Sequence, residues 1–330
     1  MSILVQEPVV LKRTRAQAVH RILLFLLDSP AFSKYQSRND SLLAAPPPVN
    51  QLPCGREHIT KQFILRTADI DESSYEGNER VIKEWIKQLR MDSPEDQEKL
   101  ATSQFIPVVG DQLTVDRLRG MAKYWHEDIN GFEQLDWVLP VFGWFHLIVQ
   151  VANSLHHQYL GTSAGIGLQR AFDLLNRKGL QSVQTKGLFW HHLDEALWHV
   201  GEGSFRACWL SIGNVNGLEE LTSRAPEALV SMAEVIYDTL ASREALMRKT
   251  HRAHGGEPGD AVQNQMIMFH TDLLVYFELR DAIRVGDVGR MEDLLPTLAC
   301  CFAGGSNPRY TAEVLELLQS IHREWPHEVK

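Results

Sequence analysis

"FIPVVGDQLTVDRLRG", Phe105 to Gly120, is the stretch on which the fold turns. A short, β-branched run stops at Gly110, Asp111 follows, and a helical pattern then runs from Thr114 to about Tyr124. Strand, turn and helix in that order belong to a small α/β part. "LDWVLPVF", Leu135 to Phe142, supplies the next strand. Each run carries a proline, Pro107 and Pro140, which points to edge strands or bulges, because proline cannot donate to a ladder. Two readings of Asp111 follow. Gly and Asp are common turn formers, so Gly110 and Asp111 make a turn. Alternatively, Asp111 is a carboxylate held at the carboxyl end of a strand, where open α/β sheets gather ligands and reactive groups.

Upstream of this unit, "HITKQFILRTAD", His58 to Asp69, reads as a strand. "GNERVIKEWIKQLRM" reads as an amphipathic helix with Val81, Ile82, Trp85, Ile86 and Leu89 inward and Asn78 as its cap. Near the start, Thr14 is placed to cap a helix through "RAQAVHRILLFLLDS" that ends before Pro30. The Ser, Asn and Pro-rich stretch between Ser29 and Cys54 has no periodic apolar face and is expected to be a loop-like, poorly ordered linker. From Trp144 onward helical periodicity dominates, over Phe145 to Tyr159, Gly167 to Asn176, His191 to Val200, Glu227 to Arg248, Asp260 to Val285 and Arg309 to Arg323. The fold expected is α/β but mostly α. Its parts are an N-terminal helix (1–28), a linker (29–57), a small α/β part (58–146), a helical insertion (147–303) and a C-terminal helix (304–330) that packs on the α/β part.

The 330 residues are 44% hydrophobic and 23% charged, an ordinary balance for a globular protein that buries a sizeable core. A formal charge of −9 weighs against a general nucleic-acid binder, whose affinity rests on Lys and Arg facing phosphates. Cys54, Cys208, Cys300 and Cys301 show no C-x-x-C spacing, which fits reduced thiols in the cytosol or nucleus. The N-terminus lacks the architecture of a secretory signal, and no run of eighteen apolar residues occurs, so neither secretion by that route nor membrane spanning is expected. "LKRTR", Leu11 to Arg15, has the composition that a nuclear importer reads, although such short basic runs are common by chance.

Three further patterns carry polar groups at helical spacing. In "GWFHLIVQVANSLHHQYLG", His146, Gln150, Asn153 and His157 form a polar stripe that faces either a site or water. In "HHLDEALWH", His191, Glu195 and His199 stand four residues apart, but without the H-E-x-x-H spacing of zinc peptidases the ordinary reading is hydrogen bonding. In "GGSNPRYTAEVLELLQSIHREW", Asn307 caps and Pro308 opens a helix whose apolar face holds Tyr310, Val314, Leu317, Leu318 and Ile321. Glu313 lies at the edge of that face and Glu316 further out, so Glu313 either reaches a neighbouring element or extends to solvent. No P-loop, G-x-G-x-x-G or G-x-S-x-G motif appears.

Six segments in order, "DIDESSYEGN", "VVGDQLTVDRLRG", "LPVFGWFHLIVQVANSLHHQYLGT", "LDEALWHV", "GDVGRMEDLLP" and "GGSNPRYTAEVLELL", resemble a fungal family found in basidiomycetes, domain-of-unknown-function family 6589. The resemblance spans about Ile70 to Pro326. More loosely, the order is similar to DDE transposases of the RNase H-like class with a helical insertion. That likeness implies a small RNase H-like sheet, Asp111 as the second acid, a x-x-H motif ending at His146, and a final acid at Glu313. It further implies Asp111 and Glu313 as metal ligands, Mg²⁺ as the cofactor, DNA as the ancestral substrate and a nuclear or cytoplasmic location. Two departures stand out: Gly143 occupies the place of a Cys or Asp, and no strand stands where the first acid belongs, so that acid is substituted by Asp69 or Asp71 or is absent.

The chemistry of that class needs carboxylates converging on two Mg²⁺ ions roughly 4 Å apart. With two acids, the expectation is a truncated, transposon-derived copy that cleaves poorly, whose Asp111 and Glu313 converge and, unless Lys or Arg pairs with them, raise the pKa of at least one of the two. The other expectation is a non-catalytic helical scaffold or interaction module in which the same residues cap helices and turns.

Overall fold

The computed structural model of the chain describes residues 3–127, 130–162, 165, 167–181, 189–254 and 260–325. It is mostly helical, with a small two-stranded parallel sheet, and divides into two compact units. The smaller covers residues 53–147 and the larger covers 1–52 with 148–330. Residues 326–330, the end of the expected C-terminal helix segment, lie outside the described residues.

Helix α1 (Pro8–Leu27) belongs to the larger unit, and α2 (Tyr75–Gln88) and α3 (Pro94–Thr102) open the smaller one. Strand β1 (Ile106–Gly110), helix α4 (Gln112–Tyr124) and strand β2 (Val138–Phe142) then form a βαβ unit with Ile106 beside Val138 and Gly110 beside Phe142. In a two-stranded sheet both strands are edges, which is why Pro107 and Pro140 are tolerated. Ile82, Ile86, Leu100, Leu118, Met121 and Trp137 make its core. Two glycines permit the close packing around α2: a Cβ on Gly77 would fall 1.8 Å from the Asp71 carbonyl oxygen, and one on Gly120 would fall 2.6 Å from the Tyr75 hydroxyl.

Two expectations for this unit are corrected. Residues 58–69 form no strand; apart from the end of a 3₁₀ turn at His58 the chain is irregular, with Phe63 83% and Ile64 97% exposed. A strand persists only where a neighbour takes its backbone groups, and among the described residues no strand pairs with this segment. The cap of α2 is Ser74, whose hydroxyl accepts from the Gly77 N–H at 3.0 Å. Asn78 lies one turn inside, buried, and its amide donates to the carbonyls of Glu72 and Ser74.

The larger unit is helical. After α1 come α5 (Trp144–Tyr159), which carries the chain across the boundary between the units, α6 (Leu168–Leu174) and α7 (Phe189–Gly213). Next are α8 (Pro226–Leu240), α9 (Arg243–His254), α10 (Ala261–Val285), α11 (Val288–Gly304) and α12 (Pro308–Gln319), followed by one π-helical turn. Helix α1 starts at Pro8, earlier than the expected Thr14 cap, because proline supplies the first helical φ; Thr14 sits inside and bonds back to the Val10 and Leu11 carbonyls. Phe25 of α1 packs on Phe205 and Phe277, and the Trp209 indole donates to the Ile22 carbonyl at 3.1 Å. Arg290 donates to both oxygens of Glu278 at 2.7 and 2.8 Å and to Asp281 at 3.1 Å, so the buried charges between α10 and α11 are paired.

Residues 29–52 contain short 3₁₀ turns and one antiparallel bridge, Gln51 with Asp287, and are packed onto this unit. Phe32 and Leu43 are buried, Tyr35 donates to the Arg224 carbonyl at 2.9 Å, and Leu52 N–H donates to the Gly286 carbonyl at 2.8 Å. Helix α12 packs against α11 within the same unit.

Candidate functional site

Asp111 follows β1 directly and is the N-cap of α4. One carboxylate oxygen accepts the Thr114 N–H at 2.8 Å, satisfying a donor that the helix start leaves open. That hydrogen bond holds the Asp111 pKa below the usual carboxylate value, and the nearby His146 and Arg117 act in the same direction against partial desolvation. The shift is opposite to the rise that a facing carboxylate would cause.

His146 comes from the first turn of α5, just after β2. Gly143 bridges the two strand ends, donating its N–H to the Gly110 carbonyl at 2.8 Å, while the Leu147 N–H returns to the Gly143 carbonyl at 3.1 Å. A Cβ on Gly143 would meet the His146 ring at 3.3 Å, so the imidazole lies against the strand end. The structure therefore brings Asp111 and His146 together at the carboxyl end of the sheet, both exposed to solvent.

The other acids are placed as follows. Asp71 is exposed and accepts the Ser73 N–H at 2.9 Å; that bond lowers its pKa, with a smaller contribution from Arg117. Asp69 lies in the irregular segment. Arg117 donates to the Glu72 carbonyl at 2.7 Å and its positive charge favours the ionised form of both Asp71 and Asp111. Glu313 is 2% exposed on the inner face of α12, beside Tyr310, Val314 and Leu317, and Glu316 is exposed. Glu313 belongs to the larger unit, Asp111 and His146 to the smaller.

The other polar patterns resolve locally. Along α5, His146 and His157 are exposed and Gln150 and Asn153 half-buried, the profile of a solvated face. On α7, Glu195 pairs with Arg177 at 2.9 Å and His199 lies 3.3 Å from Glu202. Among the described residues no three His, Cys, Asp or Glu side chains group so as to hold a metal ion. In "LKRTR", on α1, Arg13 pairs with Asp293 of α11 and Arg15 with Glu234 and Asp238 of α8. The four cysteines are free thiols. Among the described residues no helix is long and apolar enough to cross a membrane.

Spacing missed one polar pair, Ser204 on α7 and His270 on α10, whose side chains meet at 2.6 Å. Sixty-six residues separate them, and neither sits in a recognisable motif.

No curated protein and no solved structure matches the chain. The model of a family of unknown function, DUF6589, matches residues 2–330, and the chain belongs to that family.

Proposed function

We propose that this chain is a transposon-derived remnant of an RNase H-like, DDE-type fold that no longer cleaves DNA. What supports the ancestry is the βαβ unit with Asp111 at the carboxyl end of its first strand and His146 just past the second. What supports the loss of cleavage is the use made of Asp111: its carboxylate caps α4, with Arg117 supplying positive charge nearby.

In-line phosphodiester displacement needs both the attacking and the leaving oxygen held by metal. Mg²⁺ takes carboxylate and water oxygens in near-octahedral geometry. The smaller unit offers one capping carboxylate and an imidazole at the strand ends, and this donor set does not fit a two-metal centre. No step is therefore assigned to Mg²⁺. The net charge of −9 also removes the long-range attraction that brings DNA to such a site. In this reading the helical unit serves as a scaffold, held together by paired internal charges such as Arg290 with Glu278.

Incubation of the full chain with supercoiled plasmid and Mg²⁺ or Mn²⁺ tests the reading. The expected result is uncut plasmid. Robust cleavage that is lost in Asp111→Ala would overturn it and direct the search for a third acid to Asp69 and Asp71.

A further inference from the structure

The larger unit contains a cleft of about 350 Å³, lined by Tyr159 of α5, Leu168 and Ala171 of α6, Val200 and Ser204 of α7 and Phe269 of α10, among others. That volume is in the range of small-molecule sites. Its walls are mainly apolar, and no charged side chain is among the described residues that line it. An ion entering it would lose hydration without a countercharge, so the cleft suits a neutral occupant.

One polar group in the lining has a fixed role. Behind Ser204 lies His270, 5% exposed, with its Nε2 2.6 Å from the Ser204 Oγ and its Nδ1 3.0 Å from the Leu240 carbonyl oxygen. A carbonyl only accepts, so Nδ1 carries the hydrogen. Burial lowers the His270 pKa and keeps the ring neutral, so Nε2 is an acceptor. The Ser204 hydroxyl must then donate its single hydrogen to Nε2, which leaves Oγ with lone pairs for whatever occupies the cleft.

A nucleophilic role for this pair does not follow. Ser204 is in the middle of α7, where backbone N–H groups are spent on the helix's own carbonyls, so an acyl oxygen drawn to Oγ would find no backbone donor on that helix to stabilise its developing charge.

We infer that this cleft is a binding site for a small neutral aromatic molecule bearing an N–H or O–H donor, which Ser204 accepts while the aromatic and aliphatic walls cover the ring. The inference concerns the helical unit alone and stands apart from the role of Asp111.

Indole, and 1-methylindole as its donor-free counterpart, serve as probes in calorimetric titrations of the full chain. The expected result is a dissociation constant for indole on the order of 1 mM or below. 1-Methylindole should bind about tenfold more weakly. Ala171→Phe fills the cleft without touching the Ser204–His270 pair and should abolish indole binding. Equal binding of the two probes, indole binding that survives in folded Ala171→Phe, or no indole binding to the wild-type chain at about 1 mM would each overturn the inference. The comparison of the two probes uses the wild-type chain, so it holds even where the variant fails to fold.

Discussion

Gly110-Asp111 and Gly286-Asp287 are the same dipeptide, and each aspartate caps the helix that follows, α4 in one case and α11 in the other. Asp111 is exposed and makes its cap bond to Thr114 alone of the backbone donors. Asp287 is 1% exposed; besides Arg290 N–H at 3.3 Å, its carboxylate accepts the N–H groups of Val49 and Asn50 at 3.0 and 2.9 Å. One aspartate ends a helix; the other also anchors residues 49–52 to the helical unit, where Leu52 adds its bond to Gly286. Local sequence sets the cap in both places, and burial decides what else the carboxylate holds.

The largest expected effect is therefore at Asp287. Asp287→Ala leaves three backbone N–H groups without their acceptor and should cost about 3 kcal/mol in urea unfolding, with faster hydrogen exchange at Val49 and Asn50. A loss equal to that of Asp111→Ala would erase the contrast.

The units should also differ in their response to pH. In the helical unit His20, His156 and His270 all have pKa values lowered, burial being the first cause in each. A histidine held neutral in the fold binds a proton more readily when unfolded, so its contribution is full above about pH 6.5 and falls as the pH drops from there. Buried Asp272 and Glu292, with raised pKa values, oppose this loss in part because they favour protonation in the fold. In the smaller unit the shifted groups among the described residues are Asp71, Asp96 and Asp111, all lowered by hydrogen bonds first. Their contribution is present above the ordinary Asp value of about 4 and is lost only as the pH falls through their folded values. Hydrogen exchange between pH 7 and 5 should show protection weakening in helices α7 and α10 and persisting in α4. Uniform loss would mean that the buried histidines do not set the pH dependence.

A smaller effect is expected at Asp111. Asp111→Ala should cost about 1 kcal/mol and Asp111→Asn only a few tenths, since asparagine caps nearly as well. Equal losses in the two variants would indicate that charge, and not capping, is what the position supplies.

The two strands and the helix between them were legible because each strand is a short apolar run bounded by turn residues, and the helix repeats Val115, Leu118 and Met121 inward; their parallel pairing was not. The irregular segment at 58–69 was not, because a strand depends on a neighbour that the segment's own residues do not reveal. Helix α11 escaped notice because Pro296 interrupts its pattern, although the helix continues through it. Residues 29–52 look like a linker by composition, yet a few anchors, Phe32, Leu43 and the two N–H groups on Asp287, are enough to dock them. At the strand ends, Asp111 followed from the order strand then helix, and His146 from the polar stripe on the next helix and from the family resemblance. The Ser204–His270 pair was invisible, since it arises only when α7 packs on α10.

Binding of Mn²⁺ to the wild-type chain and to Asp111→Asn, followed by electron paramagnetic resonance, tests most directly whether Asp111 is a helix cap and not a metal ligand. Asparagine retains the cap and removes the charge, so the substitution isolates the metal role. Titrations that superimpose for the two proteins are expected. A Mn²⁺ site present in the wild type and lost in Asp111→Asn would contradict it.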